Sequence, residues 1–140
     1  MQYLYPVTSS NILELSESDI QLLTVICNLG FVTVNQLNML YSVVCKKPRK
    51  FSQKVLNSWT KKGAPLNKRS LQSHGLTPKN RVAYYVSVPF RNWLIKNHFL
   101  EDDVLDYGTI SITAHNVQAV EVIVQSMYLA CFGKHELGIK

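Results

Sequence analysis

Acidic residues are what this sequence lacks where their absence counts. Its 140 residues contain nine Asp and Glu, and none of them falls between Asp19 and Glu101. Cysteine is scarce as well. Cys27, Cys45 and Cys131 are odd in number, far apart, and form neither a CxxC pair nor a Cys/His cluster at zinc spacing. Such a set excludes a disulfide framework and points to a reducing, cytoplasmic compartment, with Cys27 and Cys131 as small core residues. No apolar run is long enough for a membrane span. The longest, Val117 to Phe132, is broken by Gln118, Glu121, Gln125 and Ser126. No basic segment followed by an apolar one opens the chain, so neither a signal peptide nor a membrane partner is expected.

Catalytic signatures are missing too. There is no GxGxxG, Walker loop, GxSxG or HExxH. His74, His98, His115 and His135 are scattered. Glu101-Asp102-Asp103 has no His or carboxylate at helical spacing and reads as a solvated turn rather than a metal site. The expectation is a protein without catalytic residues, metal or cofactor.

Positive charge fills the acid-free zone. Eleven of the fifteen Lys and Arg lie between Lys46 and Arg81, and elsewhere acids outnumber bases, so the net charge of +6 understates the segregation. A concentrated basic zone is the electrostatic footprint of nucleic-acid binding, whereas a face serving only solubility mixes both signs.

Three segments are expected along the chain. Residues 1–15, with Tyr3, Tyr5 and a Thr8-Ser9-Ser10-Asn11 turn, form an arm, either loose or packed on the core. Residues 16–99 form the main domain. Ser16 and Asp19 make a capping box for a first helix over 17–29, closed by Gly30. Thr33 and Gln36 make a second box for a helix over 34–42. A third helix is predicted from Pro48 to Gly63, with Phe51, Val55 and Trp59 on its core face. Strands at 66–71 and 82–88 flank a long polar loop, and a fourth helix opens at Pro89 with Phe90, Trp93 and Leu94 on one face. Residues 100–140 carry the acidic turn, a brief extended segment over 107–113 and a last helix over 115–132.

Three helices followed by a hairpin make a mainly α, α+β fold of winged helix-turn-helix layout with added C-terminal helices. The third helix is expected to read bases through Arg49, Gln53 and Asn57, because amides suit adenine and Arg suits guanine. Lys46, Lys47, Lys50, Lys54, Lys61 and Lys62 are expected to hold phosphates, and Lys68, Arg69, Lys79 and Arg81 to act from the wing. The last helix is apolar on most sides. Either it is a central core helix, or Val117, Val120, Val124, Met127 and Tyr128 pair two chains as a homodimer.

Leu15-x-x-x-Asp19-x-x-Leu22-Leu23, Phe31-Val32-Thr33-x-x-Gln36-Leu37, the basic helix, Val82-x-Tyr84-Tyr85-Val86 and His115-x-x-x-x-x-Glu121-Val122 together resemble the replication-relaxation family. These are winged helix-turn-helix proteins of plasmids and conjugative elements. The resemblance covers about residues 15–131. It implies DNA binding linked to plasmid replication or to processing at a transfer origin, and no catalytic residues; the function expected is that of a double-stranded DNA binder serving replication, conjugative transfer or transcription regulation, with a relaxase or replication protein as a further partner. The chain departs from the common pattern in its long loop over 70–80. Two other readings compete: a protein-interaction adaptor, which has no need for the basic zone, and a single-stranded nucleic-acid binder, which calls for exposed aromatics on a basic platform.

Overall fold

The computed structural model of the protein describes residues 2–71, 82–101 and 114–136. Within them lie five helices and two small antiparallel hairpins. In order these are β1 (Gln2–Thr8), β2 (Asn11–Ser16), α1 (Glu17–Leu29), α2 (Val34–Cys45), α3 (Gln53–Trp59), β3 (Leu66–Ser70), β4 (Val82–Val86), α4 (Val88–Lys96) and α5 (Ala114–Glu136). The loop over 72–81, with Lys79 and Arg81, the segment over 107–113, and Asp102 and Asp103 of the acidic turn lie outside the described residues.

Both capping boxes form. Ser16 Oγ accepts from Asp19 N–H at 3.1 Å while Asp19 Oδ2 accepts from Ser16 N–H at 2.9 Å. Gly30 ends α1 at φ 97°, a conformation that L side chains rarely adopt. Thr33 and Gln36 repeat the box at the start of α2. Between the two helices Val32 pairs with Tyr84 of β4, its N–H donating at 2.9 Å and its carbonyl accepting at 2.8 Å. That bridge fastens the corner between α1 and α2 to the β3–β4 hairpin.

Of the two readings of the N-terminal arm, the packed one holds, and the arm is a hairpin of β1 and β2. Tyr3 pairs with Leu15 and Tyr5 with Leu13 across β1–β2. Tyr5 is buried edge-on against Phe90 and Trp93, with ring centroids 4.7 and 5.5 Å away, and Tyr3 meets Phe99 at 5.1 Å. The hairpin therefore packs on α4 and its continuation. Its far edge meets the turn after α3: a Cβ on Gly63, which has φ 84°, would lie 2.9 Å from the carbonyl oxygen of Val7.

α3 is shorter than expected. The residues before it, 46–52, lack helical form, and Ser52 rather than a residue near Pro48 caps it. The core face moves accordingly: Leu56 and Trp59 are buried at 3% and 2%, while Val55 is 37% exposed. Phe51 packs from the preceding segment, 5.0 Å from both Tyr41 and Trp59.

α5 joins the same core. Val117, Val120 and Val124 are buried at 3%, 6% and 0%, and the helix packs chiefly on α2. These valines are thus occupied within their own chain and are not the dimer surface expected of them; Met127 packs beside them and Tyr128 is half-buried. Cys27 is buried as expected, but Cys131 is exposed together with Leu129 and Ala130, two turns along α5 from Val124, the last of its buried valines. Gln36 fastens the packing. Its Oε1 accepts from Thr33 N–H at 3.0 Å, and its Nε2 donates to Val117 O at 3.2 Å and Glu121 Oε1 at 3.1 Å.

Gln36→Ala should therefore lower stability by about 1–3 kcal/mol, since it strands the buried N–H of Thr33 and removes a donor from the part-buried carboxylate of Glu121. A urea midpoint compared with that of Asn35→Ala, an exposed neighbour, checks this; equal midpoints would mean that α5 is held by apolar contact alone.

Candidate nucleic-acid interface

The interface begins where α2 ends. Lys46 caps the helix in the left-handed region at φ 59°, which costs a non-glycine residue about 1 kcal/mol. This turn throws the chain out of the helix and into Lys47-Pro48-Arg49-Lys50. Two α2 side chains one turn apart then pull it back. Ser42 Oγ accepts from Arg49 N–H at 2.9 Å and lies 2.8 Å from Arg49 O, and Asn38 Oδ1 accepts from Phe51 N–H at 2.8 Å. Phe51 plugs into the Tyr41–Trp59 cluster, and Ser52 starts α3. The basic segment is therefore pinned by backbone bonds at Arg49 and Phe51 while its lysines stay in solvent.

Lys46, Lys47, Arg49, Lys50, Gln53, Lys54, Asn57, Lys61 and Lys62 are all exposed. Six of the expected contacts thus come from the turns on either side of α3 and only Gln53, Lys54 and Asn57 from the helix itself. Arg49 is partly engaged, its guanidinium carbon 5.8 Å from the centroid of the Tyr41 ring. Burial raises the Tyr41 pKa, and its hydrogen bond with Cys45 raises it further, so the phenol stays neutral beneath that cation. Gln53 Nε2 donates to Asn57 Oδ1 at 3.0 Å. That bond leaves Gln53 Oε1 as an acceptor and Asn57 Nδ2 as a donor, the pair of functions that the adenine edge calls for.

Lys68 and Arg69 stand on β3, next in the chain after the turn that follows α3. Lys68 is exposed; Arg69 is half-buried with its guanidinium carbon 5.5 Å from the Tyr85 ring centroid. On the other flank of α3, a groove of about 490 Å³ runs between β2, α1 and α3, lined by Glu14, Asp19, Tyr41, Phe51, Lys54 and Val55 among others. Its two carboxylates fall outside the acid-free stretch of sequence.

Sequence reasoning found the charges but not what holds them. Ser42 and Asn38 were missed, although two polar residues four apart, one above the other on the same face of α2, were the available signal. Among the described residues no group of His, Cys, Asp and Glu could hold a metal ion, and no helix is long and apolar enough to cross a membrane. Comparison with protein-family models, curated proteins and solved structures gave no match.

Two substitutions separate the strain from the clamp. Lys46→Gly should raise stability by about 1 kcal/mol by relieving the left-handed turn. Ser42→Ala should lower it by about 1–3 kcal/mol, because the backbone of Arg49 loses its partner. Urea midpoints of the two variants should move in opposite directions; a common direction would contradict this account of the loop.

Proposed function

We propose that this chain is a sequence-specific binder of double-stranded DNA of the winged helix-turn-helix type, serving a plasmid or mobile element in replication, conjugative transfer or transcription regulation. The observation that carries the reading is the pinned set of exposed bases around α3, drawn from a stretch of sequence that holds no acid. A solvated basic face has no need of backbone clamps, whereas a phosphate-binding surface gains affinity from being held in place before its ligand arrives.

The order of elements supports it. A first helix, the Val32 bridge, a second helix, α3 and then the β3–β4 hairpin follow one another in the order of a winged helix. The resemblance to the replication-relaxation family agrees, and a relaxase or replication protein is then a natural further partner. In this reading α3 enters the major groove, Gln53 and Asn57 address one base pair, and Arg49 reaches a guanine or a phosphate from the segment ahead of the helix. The lysines of both turns grip phosphates on either side, and Lys68, Arg69, Lys79 and Arg81 act from the wing on the backbone or the adjacent minor groove. Of the aromatic rings near the basic surface, Trp59 is buried, Phe51 is packed between it and Tyr41, and the half-buried Tyr41 and Tyr85 lie against the guanidinium groups of Arg49 and Arg69. This favours duplex over single-stranded DNA, whose bases need open stacking platforms.

Duplex fragments selected from a random pool by the protein give the preferred sequence. On it, Gln53→Ala and Asn57→Ala should each reduce discrimination by about 1–3 kcal/mol at a single base pair. Lys54→Ala should weaken every sequence alike. Identical behaviour of all three would remove α3 as the reader and pass that role to the wing.

A further inference from the structure

A second pocket, of about 380 Å³, lies between α2, the segment ahead of α3, and α5. Arg49 and Lys50 line it, together with Asn38 of α2 and Tyr128 of α5. All four carry hydrogen-bond donors, and each of the two neutral ones has a donor unspent. Asn38 Oδ1 is taken by Phe51 N–H at 2.8 Å, which fixes the amide and leaves its Nδ2 without a partner among the described residues. The Tyr128 hydroxyl bonds to no described residue either, and its ring rests against Phe132, 4.7 Å away between centroids. Among the described residues no carboxylate lines this pocket, in contrast to the groove between β2, α1 and α3, which holds Glu14 and Asp19. The nearest acid along α5, Glu121, is already engaged by Gln36 and Gln125. Met39 and Pro48 add apolar surface to the walls.

We infer that this pocket takes one phosphate and its sugar from the backbone of bound duplex DNA, with Asn38 Nδ2 and the Tyr128 hydroxyl donating to the phosphate oxygens beside Arg49 and Lys50. The inference rests on the reading of the chain as a duplex-DNA binder and deepens it. Three observations choose the ligand. Two cations and two neutral donors without an acid form a set that suits an oxyanion, and Asn and Tyr are ordinary donors to the DNA backbone. The volume exceeds what a bare phosphate fills, and Met39 and Pro48 offer the attached sugar an apolar wall. The pocket is also continuous with the exposed bases around α3, since Arg49 and Lys50 belong to both.

This placement assigns Arg49 to the backbone rather than to a guanine. It also brings α5 into the interface, although that helix stands outside the order of three helices and a hairpin. Asn38 then has two duties on one amide: its oxygen holds the protein backbone at Phe51 and its nitrogen holds the backbone of the DNA. Contacts of this neutral kind leave a distinct mark. A lysine that neutralises a phosphate releases a counterion, whereas an amide or a phenol does not.

The test is duplex affinity across a salt series for three variants, on a selected fragment and on one unrelated sequence. Tyr128→Phe should weaken binding about ten-fold on both, the loss of one hydrogen bond to a charged group, and keep the log–log slope of the wild type. Asn38→Asp keeps an oxygen for Phe51 N–H but sets a carboxylate against the phosphate. It should weaken binding to both duplexes by about ten-fold or more, with a urea midpoint no lower than that of the wild type. Lys50→Ala should weaken binding and flatten the slope by about 1. In heteronuclear NMR the Asn38 side-chain amide signals should shift with added inorganic phosphate and not with chloride at equal ionic strength. Binding as tight as that of the wild type by either Tyr128→Phe or Asn38→Asp overturns the inference and leaves the DNA reading intact. A wild-type protein that binds no duplex removes the DNA reading, and with it the DNA backbone as ligand. A phosphate-specific shift of the Asn38 amide would then keep the pocket for a small phosphate ester, and the lack of one would overturn it altogether.

Discussion

One buried amide holds the arrangement together. Gln36 is wholly buried, and its side chain closes the capping box of α2 while donating to the backbone and to Glu121 of α5. A primary amide in an apolar setting is tolerated only if its donors and acceptor are met, and here one partner set lies on each of two elements far apart in sequence. α2 consequently has a fixed start and a fixed neighbour. Because α2 also carries Asn38 and Ser42, the position of the basic segment follows from the position of this helix.

That dependence explains how a seven-residue helix can present a surface at all. α3 is too short to be stable by itself. It is held through Leu56 and Trp59 below, through Phe51 ahead of it, and through the Gly63 turn behind it, which abuts Val7 of the N-terminal hairpin. The hairpin, in turn, is anchored on α4 by Tyr3 and Tyr5. Charge is thus spread along turns and a short helix whose backbone is tied down at both ends, leaving the lysine side chains free to follow a polyanion.

Much of the scaffold was legible in the sequence, for reasons that are local. The boxes at Ser16 and Thr33 and the stop at Gly30 are signals within four residues of one another, and they fixed α1 and the start of α2. The β-rich run at Val82 and the weaker one at Leu66 marked the strands of the second hairpin. What failed was non-local. The spacing of Phe51, Val55 and Trp59 suggested one helical face, but the Asn38 bond to Phe51 N–H holds that residue outside the helix, so the face shifted to Leu56 and Val55 came into solvent. The turn of the first hairpin was legible at Thr8-Ser9-Ser10-Asn11, but the strands on either side of it were not, and they show only in their pairing and in the packing of Tyr5 on Phe90 and Trp93. For α5 the apolar content was read correctly as more than one face, yet which face turns inward depends on Gln36, a residue 81 positions away in sequence from its partner Val117. The charged residues of the candidate site were legible because charge segregation needs no fold to be seen; their clamps on α2 were not.

The central claim is that this pinned basic surface neutralises the phosphates of duplex DNA. Affinity for a duplex of fixed sequence, measured across a series of salt concentrations, addresses it directly, because every neutralised phosphate releases a bound counterion. Five to eight contacts predict a log–log slope of roughly −4 to −7. A slope near zero, or no binding at low salt, would contradict the account.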